Sequence, residues 1–199
     1  KTIQIISLLL ILKKNRTTQA SLLILPASLL ENWKDELDKF APSLNYLCVH
    51  PSLISKTDLQ ALADDQQTIL SNNDLIITTY GMLLRQPWLI DPDWQLVILD
   101  EAQAIKNPNT RQTKTVKQLN AHARIALTGT PLENKLSDLW SLFDFICPGL
   151  LGTAAKFKKF SKTLEDRTEQ QYAPLRKLVQ PYILRRLKTD KSKIGRAHV

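Results

Sequence analysis

The segment 97–108, VILDEAQAIKNP, drives an apolar run into two adjacent carboxylates, Asp100 and Glu101. Like charges repel, so the pairing asks for a reason. A divalent cation supplies one. An Asp at a strand end can hold Mg2+ directly or through water, and the next carboxylate, aimed differently, can orient and deprotonate an attacking water. The plainer reading is a surface loop with two solvated acids. Three other apolar runs also end in small polar residues: Pro26-Ala27-Ser28, Thr78-Thr79 and Thr128-Gly129-Thr130. Any one of these alone is ordinary turn chemistry. Four together, each after a buried strand, point to one site assembled beyond the carboxyl ends of a parallel sheet.

The elements that must carry those clusters alternate between strand and helix, the pattern of βαβ units. Residues 21–26, 45–50, 74–80, 94–102 and 124–131 read as strands, apolar throughout because helices cover both faces. Between them, residues 28–40 read as a helix. Ser28 caps it with Glu31 three positions on, and Leu29, Trp33, Leu37 and Phe40 share a face. Further helices fall near Leu59, just after Tyr80, over 110–119 and over 135–148; Pro148 and Gly149 mark a boundary, after which a basic helical tail begins. The chain therefore divides into an α/β lobe over 1–150 and a helical extension over 151–193. Residues 194–199, IGRAHV, match a translated sequencing-adapter sequence and are set aside as a non-native tail.

Composition agrees with a globular α/β protein: 43% hydrophobic and 23% charged in 199 residues, enough for one sizeable core. The longest apolar run, 5–12, is far short of the ~20 residues of a membrane helix, and no small-residue cleavage site follows it. Cys48 and Cys147 are too few for a disulfide framework and read as buried free thiols of a reducing compartment. His50, His122 and His198 lack metal-ligand spacing. Residues 1–150 hold 14 Lys and Arg against 15 Asp and Glu, whereas 151–199 hold 13 against 4, so the whole net charge of +8 comes from the tail. A polyanionic partner explains that excess, and so do solvated helices that lack acidic neighbours.

With these features in place, the chain resembles the superfamily-2, DEAD/DEAH-like ATPases of the Swi/Snf group. LDEAQAIKN is similar to their DExx box, and ALTGTPLENKLSDLWSLFDF (126–145) to motif III and the helix after it. ILPASLLENWKDEL (24–37) is similar to motif Ia, and IITTYGML to motif Ib. YILRRLKTD (182–190) looks like the end of the family's first lobe, and KTIQ at the start like the close of its phosphate loop.

The resemblance implies a RecA-like P-loop lobe, with ATP and Mg2+ as cofactors. By position, Lys1 reaches the β- and γ-phosphates, Thr2 and Asp100 ligate Mg2+, Glu101 positions the water, and Gln103 senses the γ-phosphate. Many relatives have His where Gln103 stands. Thr128, Gly129 and Thr130 couple the nucleotide side to the DNA side, with Gly129 allowing a tight backbone. Ser28, Thr78 and Thr79 contact DNA phosphates without reading sequence. Arg185, Arg186 and Lys188 either face phosphate or brace two lobes. Trp33 reads as core.

What the resemblance implies for the whole is a motor on double-stranded DNA that strips or remodels bound proteins, RNA polymerase among the possible targets, in a bacterial, cytoplasmic and nucleoid-associated setting. It also implies that the phosphate-loop glycines and a second RecA-like lobe lie outside these residues, so that this piece alone is expected not to turn over ATP. Two other readings remain open: a non-catalytic nucleic-acid-binding or docking module of the same fold, and the motor subunit of a restriction system.

Overall fold

A computed structural model of the protein describes residues 1–15, 19–129, 136–165 and 172–184. In chain order the elements are α1 (Thr2–Lys14), β1 (Ser21–Leu25), α2 (Leu30–Phe40), β2 (Tyr46–Val49), α3 (Lys56–Asp64), α4 (Gln66–Asn72), β3 (Leu75–Thr79), α5 (Tyr80–Leu83), β4 (Asp93–Leu99), α6 (Arg111–Gln118), β5 (Asn120–Ala126), α7 (Leu136–Ile146), α8 (Ala154–Glu165) and α9 (Ala173–Val179). The chain divides into two units, Lys1–Phe157 and Lys158–Val199. The first contains the whole sheet. In the second, α9 runs into a 3-10 turn at Gln180–Tyr182 and buries Leu175 and Val179.

All five strands are parallel, in the order β2-β3-β1-β4-β5. Each residue of β1 and β3 is buried, because alternate side chains enter two separate cores. Leu22 and Ile24 face one core with Tyr80, Leu83, Val97, Leu99, Ile105 and Phe145. Leu23 and Leu25 face the other with Ile5, Leu9, Trp33, Leu37 and Ile98. The four strands expected to carry chemistry are neighbours, and their ends are level: Leu25 pairs with Thr79, Ile24 with Leu99, and Leu99 with Ala126.

Four local details differ from the sequence reading. Ser28 sits in a 3-10 turn, Ala27–Leu29, and α2 begins two residues later without a side-chain cap, so the expected capping box does not form. The buried face of α2 is Leu30, Trp33 and Leu37; Phe40 is exposed, with the Lys39 ammonium 5.2 Å from its ring centroid. Strand β5 starts at Asn120 and ends at Ala126, and lies at the sheet edge with Asn120, His122 and Ala123 exposed, which is why no apolar run announced its first half. Cys48 is buried, and burial pushes its thiol up to about 11; Cys147 is only half-buried.

Helix α7 is fixed on β5, on α6 and on the 3-10 turn Ala102–Ile105 by polar ties. Ser141 donates to the Ile105 carbonyl at 2.7 Å, Lys117 pairs with Asp144 at 2.8 Å, and Arg124 donates to the carbonyls of Phe145 and Leu119.

Candidate functional site

The carboxyl ends of β1, β3, β4 and β5 form one edge, and the acidic pair stands in its middle. Asp100 N donates to the Ile24 carbonyl and Ala102 N to the Leu127 carbonyl, both at 2.8 Å, so the chain on either side of Glu101 is tied to the neighbouring strand ends. Between those ties Glu101 takes φ 48, ψ 54, the one positive φ outside glycine among the described residues. Such a conformation costs a branched or charged residue about 1–2 kcal/mol and persists where the surroundings dictate it. Its effect is to send the two side chains different ways. That resolves the electrostatic puzzle of the pair: the acids are adjacent in sequence but serve different partners.

Both Asp100 oxygens are engaged. Oδ1 accepts the Glu101 backbone N–H at 2.9 Å, and Oδ2 accepts the Trp33 indole N–H at 2.8 Å. The Tyr80 phenol donates to the Asp100 carbonyl at 2.8 Å; burial, and then the nearby Asp100 and Glu101 charges, push that phenol far above its ordinary value, so it remains a donor. Glu101 turns the other way. Its Oε2 accepts from Gln103 Nε2 at 2.6 Å, and the same amide's Oε1 accepts from the Thr128 hydroxyl at 3.2 Å. A continuous line therefore runs Glu101–Gln103–Thr128 across the ends of β4 and β5.

Gly129 does not take the left-handed conformation; an added Cβ would meet the Glu101 carboxylate oxygens at 3.9 and 4.0 Å, an ordinary contact. What the missing side chain provides here is open space beside that carboxylate. From the opposite direction, Lys1 donates its ammonium to the Thr128 carbonyl. The start of α1, with Thr2 as its first residue and Lys13 and Lys14 at its far end, thus meets the same edge. Its N-terminal amides and dipole favour an anion.

The other expected residues divide. Ser28 is exposed in its turn at the end of β1. Thr78 is fully buried and donates to the Val49 carbonyl at 3.1 Å, and Thr79 is 6% exposed and caps α5 by accepting from Met82 N. Thr130 and the cluster of Arg185, Arg186 and Lys188 lie outside the described residues. Trp33 and Tyr80, absent from the expected site, are the two side chains that hold Asp100. The only advance signal was that a buried indole N–H or phenol needs a polar partner.

The donors fit a hard divalent cation. Asp100 supplies oxygens whose orientation is fixed and which retain free lone pairs. Mg2+ is commonly held by one or two carboxylates with the remaining positions taken by phosphates and water. Among the described residues no group of three or more His, Cys, Asp or Glu side chains forms a metal cluster, and no helix is long and apolar enough to cross a membrane.

A five-stranded parallel sheet, helices on both faces and this strand-end edge define a RecA-like lobe. Residues 1–194 match the model of the SNF2-related domain. The chain is similar to the Sulfolobus solfataricus SWI2/SNF2 ATPase core in complex with double-stranded DNA: TM-score 0.83, 42% identity, 96% of this chain and 39% of that one. It is 38% identical over 192 residues to an uncharacterized ATP-dependent helicase of Mycoplasma pneumoniae, covering 95% of this chain and 18% of the relative. It is 32% identical over 232 residues to the DNA excision repair protein CSB of Oryza sativa, covering 96% and 20%. The chain belongs to the SNF2-related domain family, and spans about a fifth of the length of these curated relatives.

Proposed function

We propose that this lobe belongs to an ATP hydrolase that moves on double-stranded DNA and displaces what is bound there. The observation that carries the reading is the convergence of Lys1, Asp100, Glu101, Gln103 and Thr128 on one edge of the sheet. The names of the relatives and the DNA-bound state of the Sulfolobus core support it.

In this reading the Lys1 ammonium leaves the Thr128 carbonyl for the terminal phosphates of ATP, and Thr2 and Asp100 would hold Mg2+. The ion, when bound, offsets the charge of the phosphates. Glu101 releases the Gln103 amide and takes a proton from the attacking water, whose oxygen bonds to the γ-phosphorus as the bond from that phosphorus to the ADP oxygen breaks. Gln103, freed on one side, reports the change to Thr128 at the end of β5, next to the segment expected to couple nucleotide to DNA. Ser28, exposed beside β3, offers a hydroxyl to a phosphate of the duplex. Lys1 and Glu101 are thus each paired inside the lobe until nucleotide arrives, which links substrate binding to release of the catalytic groups.

The targets follow from the same reading: proteins on DNA, RNA polymerase among them, in a nucleoid-associated bacterial setting with a second RecA-like lobe completing the cleft. The test is phosphate release by the complete protein with and without duplex DNA. Strong stimulation by DNA is expected; a protein that binds neither Mg2+-nucleotide nor duplex would sink the reading.

A further inference from the structure

The four tryptophans of the chain treat their indole N–H groups differently. Trp88 donates to the Gln86 side-chain oxygen, Trp94 to the Leu89 carbonyl and Trp140 to the Gly152 carbonyl, all neutral acceptors. Trp33 donates to a carboxylate, 67 residues away in sequence, and does so from a position only 1% exposed. A hydrogen bond to an ionised acceptor is roughly twice as strong as a neutral one. Burial of the ring in the core with Leu23, Leu25 and Leu37 leaves the indole little freedom to turn away.

We propose that Trp33 is a positioning residue for the metal-binding carboxylate of Asp100. The claim rests on the reading of Asp100 as an Mg2+ ligand. Its geometry is complete on both sides: the indole fixes Oδ2 and the Glu101 amide fixes Oδ1, so the carboxylate plane is set before any ion arrives. Groups of this kind behind metal ligands typically change metal affinity or activity about 10–100-fold when removed. Trp33 also lies on α2, five residues after Ser28. The exposed turn that faces the expected duplex is therefore joined to the nucleotide metal through little more than one helical turn. A shift of that turn on DNA would act directly on Asp100.

Trp33→Phe keeps most of the ring's packing and deletes only the donor. In the complete protein, binding of a fluorescent ATP analogue is titrated with Mg2+ for the wild type, Trp33→Phe and Asp100→Asn. The expected result is an Mg2+ requirement raised about 10–100-fold by Trp33→Phe, with nucleotide binding in EDTA unchanged. A Trp33→Phe protein with the wild-type Mg2+ requirement, whatever its melting temperature, overturns the proposal. If Asp100→Asn also leaves the requirement unchanged, the metal reading itself has failed. Should Trp33→Phe not fold, the wild type decides. Its Trp33 indole N–H resonance is expected to shift with Mg2+-nucleotide but not with nucleotide in EDTA, and an unmoved Trp33 resonance overturns the proposal.

Discussion

The ends of β3 and β4 start from the same kind of sequence, an apolar strand running into two polar residues, and reach opposite fates. At β3 the hydroxyls of Thr78 and Thr79 turn inward, one to the Val49 carbonyl and one to the first turn of α5. At β4 the carboxylates of Asp100 and Glu101 are also paired, but both stay half-buried and keep free lone pairs. The chemical difference is exposure and spare capacity. Thr78 gives its one proton to the Val49 carbonyl from a fully buried position, and Thr79, 6% exposed, uses its oxygen to accept from Met82 N, so neither hydroxyl stands open to a ligand. A carboxylate has about four acceptor sites, so two internal bonds orient it without exhausting it. Polar residues at a strand end thus mark a site only when bonding capacity is left over and stands open to solvent.

Substituting the open end is expected to give the largest effect. Glu101→Gln keeps the shape and the Gln103 contact but removes the proposed base. Phosphate release in single-turnover measurements on the complete protein is expected to fall ~10²–10⁴-fold, with nucleotide affinity largely kept. Equal turnover in the variant would mean that Glu101 is not the base, whereas a non-catalytic module of the same fold would show no turnover in either protein and keep its function in the variant. The closed end is expected to respond in stability instead. Thr78→Val leaves the Val49 carbonyl without its donor at a buried position, a cost of about 1–3 kcal/mol in denaturant titrations. Thr79→Ala removes the cap of α5, at about 1 kcal/mol. Neither is expected to change duplex affinity. Loss of DNA binding without loss of stability would mean that the β3 end opens on the duplex, and the contrast with β4 would dissolve.

The sequence disclosed the strands because burial on both faces leaves short apolar runs such as SLLIL and LIITT, whose five-residue length and flanking breakers favour a strand over a helix. Asp100, Glu101 and Gln103 were legible through their motif. What stayed hidden was set by distance or conformation. Trp33 reads as an ordinary core residue because α2 places it on the apolar stripe with Leu37, and its acceptor lies 67 residues on. The left-handed Glu101 has no local signature, since charged residues rarely adopt it; the ties of Asp100 and Ala102 to two other strands impose it. Ser28 has the right type and spacing for a cap, but the chain inserts a 3-10 turn at Ala27–Leu29 and starts α2 later.

That displacement makes Ser28 the most delicate probe of the comparison. A serine that caps a helix costs about 1 kcal/mol when truncated, whereas one that only faces solvent costs almost nothing. In this structure Ser28 is exposed and caps nothing, so Ser28→Ala is expected to leave the melting temperature unchanged. If its hydroxyl meets a duplex phosphate, the variant loses one neutral hydrogen bond, about 0.5–1.5 kcal/mol or roughly 2–12-fold in duplex affinity. A serine carries no charge, so it displaces no counterion, and the salt dependence of binding is expected to keep its slope. An unchanged affinity would leave the end of β1 with neither a structural nor a ligand-facing use for its hydroxyl. A lowered melting temperature would show that the turn reforms into the capping box that its sequence spells, and β1 would then belong with β3, among the strand ends whose polar groups serve the fold.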